Sequence, residues 1–464
     1  MTLEKIFKKE KLHIHFIGIG GKGLNGIAKI CMEKGFKVSG SDLKKSEESN
    51  SLRAKGIKVF YTQEKDNVSE DIDLVVYSSI IPDDHIERVE ALKLGIPQFK
   101  RAELLGYFMK EYFSVSVAGS HGKSTTTALL GLTLQNSGVD PTVIGGSYVT
   151  EWGSYERKGE GRHMVVESCE YDRAFHNLIG DVSVITSIEK SHMEYYKDER
   201  EMVDAFNDFV KLHHRDSVII ANGDDTNIRK VISNTKGKRI TFGFNECNDY
   251  HIKDVSYKTN ETQFSVYRDS VLVIKDLKIR IPGSYNVLNF ASAVVLHDYL
   301  GLPLSAVKIV ANTFMGVGRR FEIKTSRDTV FVDDFCHHPT QVKNLFDGIK
   351  QFYPDYEIYA VFQPRQFHLM KTFLKEYGSS FRKADHIIVS DIIPALGDTA
   401  KDIKGLKTSD VIDSIKKHSF KKNVLYKTEF SDIANNLRDV GTKKVIATIG
   451  AGDVYKVRDI LMRT

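Results

Sequence analysis

Residues 117–131 read VAGSHGKSTTTALLG, and how this stretch is taken decides the fold. It follows an apolar run of strand length, FSVSVAG at 113–119, and leads into a segment with helical spacing. A phosphate-binding loop has a glycine, four residues and then Gly-Lys-Ser/Thr, set between a strand and a helix. Gly122, Lys123 and Ser124 supply the second half, but Val117 stands where the first glycine belongs, and the nearest glycine is Gly119. The chemistry survives that shift. A lysine can neutralise phosphate oxygens, a hydroxyl can reach Mg²⁺, and backbone N–H groups over 119–124 can form an anion nest. The plainer alternative is a glycine-permitted turn with a solvated lysine.

Outward from the loop, strand-length apolar runs alternate with helical patterns. Before it come IHFIGI (14–19), LNGIAKICMEKG (24–35), KVSGSD (37–42), DLVVYSS (73–79) and IERVEALKLG (86–95). After it come HMVVES (163–168), VSVITS (182–187) and SVIIAN (217–222). Residues 239–281, rich in β-branched residues and turns, predict antiparallel strands. A third alternation runs from TVFVDDF (329–335) through EIYAVFQ (357–363) and HIIVSD (386–391) to KVIATIGAG (444–452). The rhythm is that of parallel sheets, so an α/β protein with ligands at strand carboxyl ends is expected. The three successive alternations predict domains at 1–110, 111–320 and 321–464.

The chain has 464 residues, too many for one ordinary core. Its 41% hydrophobic and 27% charged residues fit a soluble globular protein, and a net charge of +5 spread along the chain gives no nucleic-acid footprint. Cys31, Cys169, Cys247 and Cys336 show no Cys-x-x-Cys spacing, which argues against a zinc centre or a disulfide framework. The basic start enters a glycine turn after a strand-length apolar run. Neither a signal peptide nor a membrane span is predicted, and the expected location is the cytoplasm.

Gly18, Gly20 and Gly23 follow a strand and precede a helix, with Asp42 closing the next strand. This is a cradle for a nucleotide diphosphate, with the acid placed for a ribose hydroxyl. Alone it would fit an NAD(P) oxidoreductase, which has no need of the second loop. Glu167 ends HMVVES, with Glu170 and Asp172 beyond, and His192 lies in SIEKSHMEYY (187–196). Carboxylate and imidazole at neighbouring strand ends can share a metal with Ser124. Asn286 and Asn289 stand at a helix start, where capping is the first physical reading. Arg319 and Arg320 offer either a surface pair or a clamp on transferring phosphate. His337 and His338, adjacent in sequence after Asp333 and Asp334, do not form a metal pair, because neighbouring side chains point apart.

Taken in order, HFIGIGGKGLNGIA, VSGSD, YSSIIPDDH, VAGSHGKSTTT, MGVGRRFE, DDFCHHPT and TIGAGD resemble the motifs of the Mur ligase family over nearly the whole chain. In that family Gly-x-x-Gly-Lys-Ser/Thr is the normal loop, so Val117 is a family mark. The resemblance implies a three-domain architecture: a Rossmann-like N-terminal domain for a UDP-sugar, a central P-loop ATPase domain, and a Rossmann-like C-terminal domain that binds the amino acid and contributes to the ATP site. It implies an ADP-forming ligase of cell-wall peptide synthesis that uses ATP and Mg²⁺. Such an enzyme activates the carboxylate of UDP-N-acetylmuramate as an acyl phosphate and joins it to an amino acid or short peptide, by default L-alanine. A monomer or homodimer without nucleic-acid or membrane partners is implied.

Carried over by position, Gly18, Gly20, Gly21, Gly23, Asp42, Ser78 and Ser79 would hold the UDP-sugar. Gly119, Ser120, His121, Gly122, Lys123, Ser124 and Thr125 would hold ATP, together with Asn286, Asn289, Arg320 and Asp334. Ser124, Glu167 and His192 would meet Mg²⁺, while Lys123, His192 and Arg320 would act in catalysis. His337 and Arg365 would face the amino acid.

The sequence also departs from the family pattern. GSHGKS replaces GTHGKT, ESCEYD replaces EADESD, SIEKSH replaces NIEADH, and Tyr285 replaces a histidine. VFQPRQFHLMK stands where alanine-adding members read FQPHRYTRTR, so Gln366 and Leu369 replace arginines and Arg365 is new. That segment is similar to the type that recycles murein tripeptide, whereas GSDLKKSEESNSLRAKGI (40–57) is similar to the alanine-adding type. A tripeptide acceptor and an archaeal pseudomurein substrate therefore stand beside L-alanine as alternatives.

Overall fold

The computed structural model describes residues 2–193, 195–326, 328–395, 398–420, 423–438, 441 and 443–463. The chain forms two compact units, one of Met1–Ile188, Val203–Ala221 and Asp225–Ile240, the other of Glu189–Met202, Asn222–Asp224 and Thr241–Thr464.

In the first unit, β1 (His13–Ile17), β2 (Lys37–Ser41), β3 (Lys58–Phe60), β4 (Leu74–Tyr77) and β5 (Gln98–Lys100) form a parallel sheet of order β3-β2-β1-β4-β5. Every residue of β1 is buried, as expected for a parallel strand covered on both faces. The chain moves outward from β1 to β3, then returns to start β4 on the other side of β1. That reversal creates a crevice at the carboxyl ends of β1 and β4. Gly18 and Ser78 lie at those two ends.

The same unit holds β6 (Phe113–Ala118), β7 (Thr142–Val149), β8 (Ser154–Arg157), β9 (His163–Glu167), β10 (Val182–Ile185) and β11 (Val218–Asn222), in the order β11-β10-β6-β9-β7-β8. Only the β7–β8 pairing is antiparallel among them. Val117 lies inside β6, opposite Val184 on one side and Glu167 on the other, and is fully buried. A glycine there would forfeit core packing, and the loop turns two residues later. Ile14, Phe16, Leu24 and Ile27 share one apolar core with Ile144, Met164, Val166 and Leu178. This shared core is why the N-terminal sheet and the loop-bearing strands fall in one unit.

The chain enters the second unit along β12 (Lys238–Gly243) and continues through β13 (Tyr250–Lys258), β14 (Glu261–Arg268) and β15 (Val271–Ile279). The pairings β13–β14 and β14–β15 are antiparallel, as the sequence predicts. β12 departs from that expectation and runs parallel to β13 over two residue pairs. The cause is the intervening loop: the Asp224 carboxylate accepts from Phe244 N–H, Asn245 N–H and Asn248 Nδ2, so the chain re-enters in its original direction.

The C-terminal sheet contains β16 (Glu322–Ser326), β17 (Thr329–Asp334), β18 (Glu357–Phe362), β19 (His386–Val389), β20 (Val424–Tyr426) and β21 (Lys444–Ile449). Its order is β16-β17-β21-β18-β19-β20, parallel apart from the β16 edge. Val330, Val332, Ile358 and Ala360 pack on one face with Val342, Phe346 and Ile349. Phe331, Tyr359 and Val361 pack on the other with Ile433 and Leu437. This strand alternation produces a sheet covered on both sides. Among the described residues, no helix is long and apolar enough to cross a membrane.

Candidate active site

The loop after β6 is built by its glycines. Gly119 has φ +136° and a Cβ there would collide with Thr186 Oγ1, so both backbone and space require glycine. Gly122, at φ +82°, is the N-cap of the helix Lys123–Asn136. The anion nest is narrower than the sequence predicts. Ser120 N–H donates to the Ser187 carbonyl at 2.8 Å and His121 N–H to Ser187 Oγ at 3.0 Å. Those two donors fasten the loop to the segment after β10. The helix start that follows leaves N–H groups without intrahelical acceptors, a setting that favours phosphate. Thr125 is half-buried in that first turn.

Lys123 Nζ lies 2.8 Å from Glu170 Oε2 and also donates to the Gly119 carbonyl. Its side chain is 11% exposed and that of Glu170 is 0%. Burial pulls the lysine down, but the charge and hydrogen bond of Glu170 together with the fields of Cys169 and Glu167 outweigh it and hold the ammonium above its ordinary value. Ser124 Oγ donates to Glu167 Oε1 at 3.0 Å, while Glu167 Oε2 accepts from Gly146 N–H at 2.6 Å. Hydroxyl and carboxylate oxygens at the ends of adjacent strands are the donor set a hard cation such as Mg²⁺ takes. The residues present therefore fit the metal. Sequence reasoning placed Glu170 near the loop but missed its pairing with Lys123. Asp172, its companion there, pairs instead with Lys100 at 2.6 Å.

In the glycine cradle, Gly18 adopts φ +84°. Gly20 N–H donates to Asp42 Oδ2 at 2.9 Å and Lys44 N–H to Asp42 Oδ1 at 3.2 Å. Asp42 thus braces the loop, and each oxygen keeps acceptor capacity for a ribose hydroxyl. A Cβ on Gly20 would stand 2.8 Å from Asp42 Oδ2, and one on Gly21 3.1 Å from the Gly18 carbonyl oxygen. Gly23 opens the following helix against Arg101, a residue the motif reading did not single out. Ser78 and Ser79 are half-buried after β4, and the Ser78 carbonyl accepts from Ile81 N–H.

The second unit carries the remaining candidates. Asn286 and Asn289 are not caps. Gly283 is the N-cap of the helix Ser284–Leu300, and both amides lie buried within its first turns. Asn286 Nδ2 donates to the Pro282 carbonyl and Asn289 Nδ2 to Asn286 Oδ1. The two arginines divide their roles. Arg319 Nε donates to Asp333 Oδ2 at 3.0 Å and Nη2 to the Gly450 carbonyl at 2.6 Å, which makes it structural. The Arg320 guanidinium lies 5.0 Å over the Phe335 ring and draws down the Asp334 carboxyl, which burial nonetheless raises. Asp334 accepts from Phe321 N–H and Cys336 N–H. His337 Nδ1 is 3.3 Å from the Phe335 carbonyl, and its own carbonyl accepts from Tyr377 Oη. Arg365 Nη1 donates to the Ala451 carbonyl at 3.2 Å, and Gln366 beside it adopts φ +68°. His192 also belongs to this unit, at φ +52° and half-buried.

Three family models match the chain in succession: Mur ligase family, catalytic domain, over residues 13–113; Mur ligase middle domain, over 117–297; and Mur ligase, glutamate ligase domain, over 319–452. The UDP-N-acetylmuramate–L-alanine ligase of Caldanaerobacter subterraneus subsp. tengcongensis is 36% identical over 98% of this chain and 97% of its own length. The enzyme of the same name from Sulfurihydrogenibium sp. is 33% identical over 99% of both. Among solved structures, UDP-N-acetylmuramate-alanine ligase from Thermotoga maritima superposes with a TM-score of 0.81 at 25% identity, covering 97% of this chain and 98% of that one.

Proposed function

The chain belongs to the Mur ligase family, and on that premise we propose that it uses ATP to join the carboxylate of UDP-N-acetylmuramate to an amino acid, by default L-alanine. The observation that carries this reading is the Ser124–Glu167 pair beside Lys123 at the carboxyl edge of β6 and β9. Relatives bearing that activity in their names match the chain end to end, which supports the same substrates here. Residues 1–110 would take the UDP-sugar, 111–320 the ATP, and 321–464 the amino acid.

A carboxylate is a poor electrophile. Its oxygen attacks the γ-phosphorus of ATP, ADP leaves, and the resulting acyl phosphate accepts the amine at its carbonyl carbon. The C–O bond to phosphate then breaks and the amine loses its proton. Ser124 and Glu167 would hold Mg²⁺, which would supply charge neutralisation at the phosphate oxygens. Lys123 places its ammonium at the same oxygens. Asn286, Asn289, Arg320 and Asp334 are assigned to ATP, and His192 to the metal, by motif position. Ser78, Ser79 and Asp42 are assigned to the sugar nucleotide in the same way, and His337 and Arg365 to the acceptor.

The departure at Arg365 and Gln366 supports a second acceptor class, the murein tripeptide. Phosphate release measured with ATP, Mg²⁺ and UDP-N-acetylmuramate across L-alanine, other amino acids and the tripeptide decides between the two. Binding of ATP without release for any acceptor would sink both.

Glu167→Gln should raise the Mg²⁺ concentration for half-maximal phosphate release at least about tenfold, since even the partners of metal ligands contribute that much. An unchanged Mg²⁺ titration would remove Glu167 from the metal site.

A further inference from the structure

Between the two phosphate-binding loops of the first unit lies a cation that neither loop motif uses. Arg101 opens the helix Arg101–Met109, where the positive end of the helix dipole disfavours a cation. Glu103, on the same helix turn, and Asp172 are both engaged by Lys100: Glu103 accepts from its N–H at 2.6 Å, and Asp172 pairs with its Nζ. Among the described residues, the Arg101 guanidinium has no hydrogen bond or ion pair.

Its position is specific. A Cβ added to Gly23 would stand 3.1 Å from both Arg101 Cδ and Nη1, so the missing side chain of the third cradle glycine is what admits the guanidinium. On the other side its field partners are Cys169 and Glu167, the latter being the carboxylate hydrogen-bonded to Ser124. Burial pushes the guanidinium below its ordinary pKa, the mark of a charge short of solvent. The side chain is half-buried rather than enclosed, and a partly desolvated cation with no hydrogen-bonded partner is stabilised by a bound anion. Arg101 touches the diphosphate cradle at Gly23 and feels the charge of Glu167 at the ATP-side site, which places an anion on it within reach of both.

We propose that Arg101 binds the reacting carboxylate of the sugar nucleotide and holds it for phosphorylation. The proposal rests on the functional reading above, in which a carboxylate must pass between those two sites. A guanidinium suits the task because its fork matches the two oxygens of a carboxylate and stays charged throughout.

The test is calorimetric binding to the full chain of two probes, UDP-N-acetylmuramate and UDP-N-acetylglucosamine, which lacks the lactyl carboxylate. Arg101→Met should weaken the first about 10- to 100-fold, the usual loss for a hydrogen bond to a charged group, and change the second less than about twofold. Arg101→Lys should recover part of the loss. Equal weakening of both probes would give Arg101 to the diphosphate and overturn the proposal, as would no change in either. Should Arg101→Met fail to fold, a carboxylate-specific loss in Arg101→Lys alone still supports the proposal, and its absence overturns it. A wild-type protein that does not prefer the carboxylate-bearing probe would instead sink the functional reading beneath it.

Discussion

Lys123→Ala lowers kcat/KM for ATP-dependent phosphate release by at least about 10²–10³-fold, the loss that follows removal of one preorganised donor to a developing charge. The structure adds a complication that shapes the experiment. Glu170 is fully buried and Lys123 is its ion-pair partner, so the alanine variant also strands a carboxylate in the interior. Breaking a buried pair from one side costs about 3–5 kcal/mol, and an unstable variant would mimic a catalytic defect. The double variant Lys123→Ala/Glu170→Gln removes both charges. It should regain most of the stability by urea unfolding while remaining as inactive as the single variant. Near-normal turnover in either would end the assignment of Lys123. Recovery of activity along with stability would show its role to be structural.

The same pair shows what the sequence could reveal and what it could not. The loop, its strand and its helix are local features, and Val117 falls inside β6 because apolar periodicity and sheet register agree there. The glycine cradle was equally legible, since strand, glycine turn, helix, second strand and acid follow one another in order between His13 and Asp42. Contacts across the fold were not. Glu170 stands in a run of acids, and nothing local says that it, rather than Asp172, meets Lys123. Asn286 and Asn289 match a capping position by composition, but the turn begins at Gly283, earlier than the asparagines suggest. The β12–β13 pairing turned parallel because of Asp224, a loop acid with no signal in the strand pattern. Arg101 did leave a trace, a cation on the first turn of a helix against the dipole, but a mild preference of that size marks nothing until burial is known.

Arg319→Ala should destabilise the protein by about 3–5 kcal/mol at neutral pH, whereas Arg320→Ala should cost less than about 1 kcal/mol, although the two residues are adjacent. The difference lies in what each guanidinium faces. Arg319 neutralises Asp333, which is fully buried, accepts from the Thr448 hydroxyl and feels the more distant charge of Arg458, and it ties that strand end to the Gly450 carbonyl. Its guanidinium also lies 4.7 Å from the Tyr455 ring. Burial raises the Asp333 carboxyl above its ordinary range even with the arginine present. An acid whose folded pKa exceeds its unfolded value contributes most below the unfolded value, about 3.9, and loses that contribution as pH rises through the folded one. Removing Arg319 takes away a lowering influence and raises the folded pKa further. The deficit of Arg319→Ala should therefore be small near pH 4 and grow towards neutrality. Urea unfolding midpoints of the two variants across that range provide the measurement. A deficit independent of pH would remove Asp333 as its cause, and one no larger than that of Arg320→Ala would dissolve the division of labour between the neighbouring arginines.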